Sequence, residues 1–176
     1  VMIDEWIMPL LDAGPAALTI HARTRKEMSK VPAHWDVLGD VVQKIHAQYT
    51  TSRNRPIIIG NGDVKDMEDA HEKVKQYGVD GVMLGRAIFG NPWLFSRGGQ
   101  GTPPTPILAE KLGTMLEHTL LFDRLFAGIK NFDIMKKHYK AYVSGFDGAK
   151  ELRVQLMTCK TVHDVANIIH KEFPSL

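Results

Sequence analysis

The chain has 176 residues, 44% of them hydrophobic and 24% charged, and 22 Lys+Arg stand against 20 Asp+Glu for a net +2. This is an ordinary globular profile. The near-balance excludes a polycationic tail as the means of binding, and the single cysteine, Cys159, excludes a disulfide framework or an all-cysteine zinc cage.

Ile3, Trp6, Ile7, Leu10 and Leu11 recur at helical spacing, with Gly14 as a stop signal. Ala17-Leu18-Thr19-Ile20 reads as a buried strand that ends in the polar burst His21-Ala22-Arg23-Thr24-Arg25. A second helix follows, with Trp35, Leu38, Val41, Val42 and Ile45 on one side. Pro56-Ile57-Ile58-Ile59 is the next strand, running into Gly60-Asn61-Gly62-Asp63. Asp66 is the expected N-cap of a third helix that Gly78 closes. Gly81-Val82-Met83-Leu84 is a third strand, running into Gly85-Arg86 and a short helical stretch through Phe89 and Trp93. Wholly apolar strands alternating with helices predict a parallel α/β sheet covered on both faces.

Residues 96–106, rich in glycine and proline, read as a linker. Beyond it the period is purely helical. Leu108, Leu112, Met115, Leu116 and Leu120 form one stripe, and Ile129, Phe132, Met135, Tyr139, Tyr142 and Val143 another. Leu152 and Leu156 suggest a short helix, and Thr161 with Asp164 caps a last one. The expected division is therefore residues 1–95, a linker at 96–106 and a helical domain at 107–176. No apolar run approaches the ~20 residues of a membrane span. The start Val1-Met2-Ile3-Asp4-Glu5 does not look like a signal peptide. The expectation is a cytoplasmic protein without membrane contact.

Chemistry concentrates at the carboxyl ends of the strands, where α/β folds place ligands. Asn61-Gly62-Asp63 and Gly85-Arg86 are two such ends in succession. Glycine lets backbone N–H groups approach an anion, and arginine adds a forked, charged donor. Two consecutive units of this kind match the phosphate site that (β/α)8 barrels build after strands 7 and 8. The plainer alternative is tight turns and a surface ion pair; the repetition favours phosphate. At the preceding strand end, His21, Arg23 and Arg25 suit an anionic ligand or simple local bonding, and the residues leave both open. Lys136, Lys137, His138 and Lys140, with Arg153, make a basic helical surface. On its own it reads better as a solvated face than as a nucleic-acid contact. Cys159 reads as a buried sulfur. The remaining histidines show no metal-ligand spacing, so no metal is expected.

The succession ALTIHARTRKEM, PAHWDVL, RPIIIGNGDV and DGVMLGRAIFGNPWLF, followed by MKKHYKAYVSGFDGAKELR, resembles the tRNA-dihydrouridine synthases over residues 15–176. The resemblance implies the last three βα units of a (β/α)8 TIM barrel followed by a small all-helical domain. It implies an FMN enzyme that reduces selected tRNA uridines to dihydrouridine with NAD(P)H. His21, Asn61, Gly62, Asp63, Gly85 and Arg86 would then meet FMN. Arg23, Arg25, Lys136, Lys137, His138 and Arg153 would face tRNA. A whole barrel takes about 250 residues, and the family's catalytic cysteine, in an Asn-x-Gly-Cys-Pro context, has no counterpart here. The expectation is therefore a C-terminal portion that lacks the catalytic acid and is completed by a missing N-terminal half or by self-association. The alternatives are a non-catalytic tRNA-binding protein made from the same segment, and another FMN or phosphate-binding barrel oxidoreductase.

Overall fold

The architecture comes from a computed structural model in which residues 3–49, 55–96 and 106–174 are described. Three strands, β1 (Ala17–His21), β2 (Ile57–Asn61) and β3 (Gly81–Met83), form a parallel sheet in the order β1-β2-β3. The register places His21 beside Asn61 and Asn61 beside Met83. The functional strand ends therefore come together at one rim.

The helices before the linker are α1 (Ile3–Asp12), α2 (Trp35–Gln48) and α3 (Met67–Tyr77). Trp35, Leu38, Val41, Val42 and Ile45 of α2 are buried, as their spacing predicts. They share a core with Ile58, Ala70 and Val79. The α3 boundaries follow local chemistry. The Asp66 carboxylate accepts from Asp69 N–H at 2.8 Å, and Gly78 ends the helix in the left-handed region. Between β2 and β3, Asp80 holds the Ile58 N–H at 2.8 Å and both Arg55 guanidinium nitrogens at 2.6–2.7 Å.

The strand pattern alone predicts a sheet covered on both faces; among the described residues only one face is covered. Ile58 and Gly60 are buried toward the helices, whereas Ala17, Thr19, His21, Ile57 and Met83 on the other face are exposed. An apolar run shows that a strand can be buried on both sides. It does not say that the described chain supplies both covers. A cavity of about 550 Å³ also opens beside β1 between apolar side chains of α1 and α2, including Ile3, Trp6, Val37 and Leu38.

After the linker come α4 (Leu108–Phe126), α5 (Lys136–Tyr142), α6 (Ala149–Thr158) and α7 (Val162–Glu172), with a 3-10 turn at Phe132–Met135. They enclose their own core around Leu112, Met115, Met135, Tyr139, Leu156, Val165 and Ile169. The Thr161–Asp164 cap forms reciprocally: the Thr161 hydroxyl accepts from Asp164 N–H, and the Asp164 carboxylate accepts from Thr161 N–H. Of the expected stripe on α4, Leu108, Leu112, Met115 and Leu116 face the core and only Leu120 does not. Thr119 is buried and Leu120 is 51% exposed. The Thr119 hydroxyl donates to Met115 C=O at 2.8 Å and lies 3.3 Å from the Tyr139 hydroxyl, whose proton it can accept, which lets it occupy an interior position. Ile129 lies outside this core at 76% exposure.

The chain divides into two compact units. Residues up to Ala87, rejoined at Leu94, form the α/β unit, and Ile88–Trp93 group with the later helices. Of the expected linker, residues 97–105 lie outside the described residues.

Candidate functional site

At the rim of the α/β unit, β2 ends on Asn61, whose side-chain amide donates to Met83 C=O at 2.7 Å and ties the ends of β2 and β3 together. Gly62 follows at φ +131°, a conformation for glycine, and a Cβ there would sit 2.8 Å from that of Ala33. Its carbonyl accepts from the Trp35 indole N–H at 2.8 Å. Asp63, at φ +50°, is held in the left-handed region, which aspartate tolerates.

The Asp63 carboxylate is the hub of the rim. Arg23 and Ala33 N–H donate to one oxygen, and Arg86 donates to the other at 2.9 Å. The Arg23 hydrogen bond is the largest influence in holding the carboxyl below its ordinary range; burial opposes it, and the Ala33 bond and the charge of Arg86 assist. Arg23 also donates through Nε to Val31 C=O at 2.7 Å, and its side chain is only 5% exposed. It is an internal strut. The Arg86 side chain is 65% exposed and carries charge at the surface. His21 and Arg25 are exposed.

Gly85 differs from its neighbours. It lacks a positive φ, and a Cβ built on it meets nothing within 4 Å. Neither backbone conformation nor packing among the described residues calls for glycine there. Open space over a bare backbone beside an exposed arginine is a cradle that an anion fits.

A second network, less visible in the sequence, stiffens the loop after β1. The Glu27 carboxylate accepts from Thr24 N–H and from the Thr24 hydroxyl, and lies 3.0 Å from His34 Nε2. These contacts lower its pKa to about 2, with the Thr24 backbone bond the largest cause. The Thr24-x-x-Glu27 spacing was the signal for it.

In the helical unit the expected basic residues part company. Lys136 pairs with Asp133 at 2.6 Å. Arg153 donates to Val143 C=O at 2.7 Å and ties α6 to the end of α5. Lys137 and Lys140 are exposed. His138 stands edge-to-face with His118 at 4.9 Å, a neighbour that sequence reasoning did not single out. Cys159 is buried, and burial pushes its thiol pKa up, opposite to an activated nucleophile. No helix of the described residues is long and apolar enough to cross a membrane.

The comparisons with known proteins agree on one family. The dihydrouridine synthase (Dus) family model matches residues 4–175. A probable tRNA-dihydrouridine synthase of Staphylococcus epidermidis is 33% identical over 171 residues, covering 95% of this chain and 50% of the relative. Its Staphylococcus aureus counterpart is 34% identical with the same coverage. A probable tRNA-dihydrouridine synthase 2 of Bacillus subtilis is 34% identical over 166 residues, covering 94% and 49%. The chain thus spans about half the length of the curated relatives it matches. With the ordered motifs and their rim placement, these matches show that the chain belongs to the dihydrouridine synthase family.

Proposed function

We propose that this chain is the C-terminal part of a tRNA-dihydrouridine synthase, an oxidoreductase that reduces uridines in tRNA to 5,6-dihydrouridine with NAD(P)H as donor. In this reading the α/β unit is the last three βα units of a (β/α)8 barrel, residues 1–95, and the helical unit, 107–176, is the tRNA-binding domain. The bare sheet face supports it, because a barrel interior is filled by side chains from other strands. A tRNA substrate would place the protein in the cytoplasm.

FMN, when bound, supplies the hydride chemistry. The residues present fit its phosphate: Gly85 offers an open backbone, Arg86 an exposed charged fork that Asp63 holds from one side, and Asn61 fixes the two strand ends side by side. His21 and Gly62 would face the cofactor from the neighbouring ends. Asp63 has only acceptors to offer and would repel a phosphate. Its role is to aim Arg86 and anchor Arg23. Arg25, Lys137 and His138 would meet tRNA directly. Arg23, Lys136 and Arg153, held by internal partners, would shape the surfaces that do. The proton donor is assigned outside this chain, since its cysteine is buried with a raised pKa and the Asn-x-Gly-Cys-Pro segment is missing.

The observation that carries the reading is the joined rim of β2 and β3 with Gly85 open. To test it, the matching half of the Bacillus subtilis relative is replaced by this chain. The chimera is then expressed in cells devoid of dihydrouridine. Restored dihydrouridine, measured by mass spectrometry of tRNA nucleosides, is expected. A folded chimera that contains no flavin would refute the reading.

A further inference from the structure

The helical unit holds a cavity of about 390 Å³ that the rim chemistry does not use. Its wall is a run of rings. Phe89 meets His138 edge-to-face at 5.3 Å, His138 meets His118 at 4.9 Å, and His118 meets Tyr142 at 6.1 Å. Phe89 is 44% exposed. Its turn is fixed in place because Gly90, at φ +72°, lies against the Ala141 backbone, where a Cβ would come within 2.6 Å. A side chain at this position would force the turn away from Ala141, so glycine is what lets the Phe89 turn pack against α5.

The chemistry around the rings is mixed in a specific way. Lys137 Nζ stands 5.9 Å from the Phe89 ring centroid, and the exposed Glu117 lines the same cavity. Burial lowers the pKa of both histidines, with the charges of His118 and Lys137 also lowering that of His138. Their surroundings thus favour the neutral rings, which can stack or exchange hydrogen bonds without carrying charge. The Tyr142 hydroxyl lies 3.4 Å from His118 Nδ1. A carboxylate at the wall disfavours a phosphate inside. It favours a planar group with N–H donors, while the lysine can meet a phosphate outside.

We propose that this cavity binds one unstacked nucleobase of the tRNA, apart from the uridine that is reduced. Phe89 and the two histidines hold the ring, Glu117 accepts from its N–H edge, and Lys137 meets the adjoining phosphate. Base stacking on protein rings in this manner is the usual way single-stranded RNA is read. The inference rests on the tRNA reading above.

The test uses the whole chain and an unmodified tRNA transcript, with affinity measured across a salt series. Phe89→Ala is expected to weaken binding about tenfold without changing the salt dependence, while Phe89→Trp retains binding. Lys137→Ala is expected to reduce the salt slope instead. As a second readout, guanosine monophosphate should shift the His118 and His138 ring signals in NMR, and ribose 5-phosphate should not. If the parent chain binds tRNA and Phe89→Ala binds within twofold of it, the pocket is refuted and the tRNA reading stands. Equal shifts from ribose 5-phosphate would also refute the pocket. If the parent chain binds no tRNA, both readings fail.

Discussion

The two units solve the burial problem differently. The helical unit surrounds its core, so that Leu112, Met115, Met135, Tyr139, Val143, Leu156, Val165 and Ile169 are all closed off by neighbours from the same unit. The α/β unit covers one face of its sheet and leaves Ile57 and Met83, each 53% exposed, on the other, with Trp6 73% exposed on α1. Exposed apolar surface of this kind marks a contact surface. Among the described residues one unit encloses its apolar interior and the other leaves apolar surface open. The proposed chemistry sits on the second, at the rim of the half-covered sheet.

That contrast makes the largest prediction. Residues 106–174 produced alone should melt cooperatively as a monomer. Residues 1–96 alone should bind a hydrophobic dye or self-associate. A cooperative, monomeric, dye-free α/β unit would break the comparison.

Within the helical unit, Tyr139→Ala removes a fully buried ring and the partner of the Thr119 hydroxyl. A loss of about 3–5 kcal/mol is expected. Calorimetry of the whole chain should show it in the helical transition with little change in the other.

Within the α/β unit, Gly60→Ala places a Cβ 2.5 Å from the Trp35 ring, which is itself buried and pinned by its indole N–H. Overpacking of this sort costs about 1–3 kcal/mol. Denaturant unfolding followed by tryptophan fluorescence would read it.

Asp80→Asn is a smaller and pH-dependent change. The Asp80 carboxyl lies below its ordinary 3.8, chiefly because Arg55 donates to it; burial opposes this and the Ile58 N–H assists. A group depressed on folding contributes stability that is complete above about 3.8 and fades as the pH falls through the folded value. The variant should therefore be less stable than the parent by about 1–2 kcal/mol at pH 7. The gap should close on acidification below that range. A gap independent of pH would assign the effect to packing.

The sequence was legible where the signals were local. The Asp66 and Thr161 caps, the Gly78 stop and the three strands with their glycine ends each depend on a few neighbouring residues. What escaped depends on distant contacts. Thr119 is interior because Tyr139 offers it a hydroxyl partner, which no helical period on α4 reveals. Arg23 looks like a surface charge until Val31 and Asp63 surround it. The pairing of Asp63 with Arg23 and Arg86 likewise joins residues 40 and 23 positions apart. Phe89 groups with the helices because Gly90 packs on Ala141, 51 residues away by number. The open sheet face was not legible in the strand pattern, since an apolar strand looks the same whether its cover is present or absent; it was expected only from the count of three strands against the eight of a barrel.

The central claim is that the ends of β2 and β3 together hold the phosphate of a flavin. The direct measurement is the affinity of the chimeric synthase for FMN against riboflavin, which differ only by that phosphate, with and without Arg86→Ala. The account predicts a preference for FMN of at least about tenfold, comparable to one charge-assisted contact. It also predicts that the preference largely vanishes in the variant. Equal affinity for the two flavins, or a preference untouched by Arg86→Ala, would contradict it.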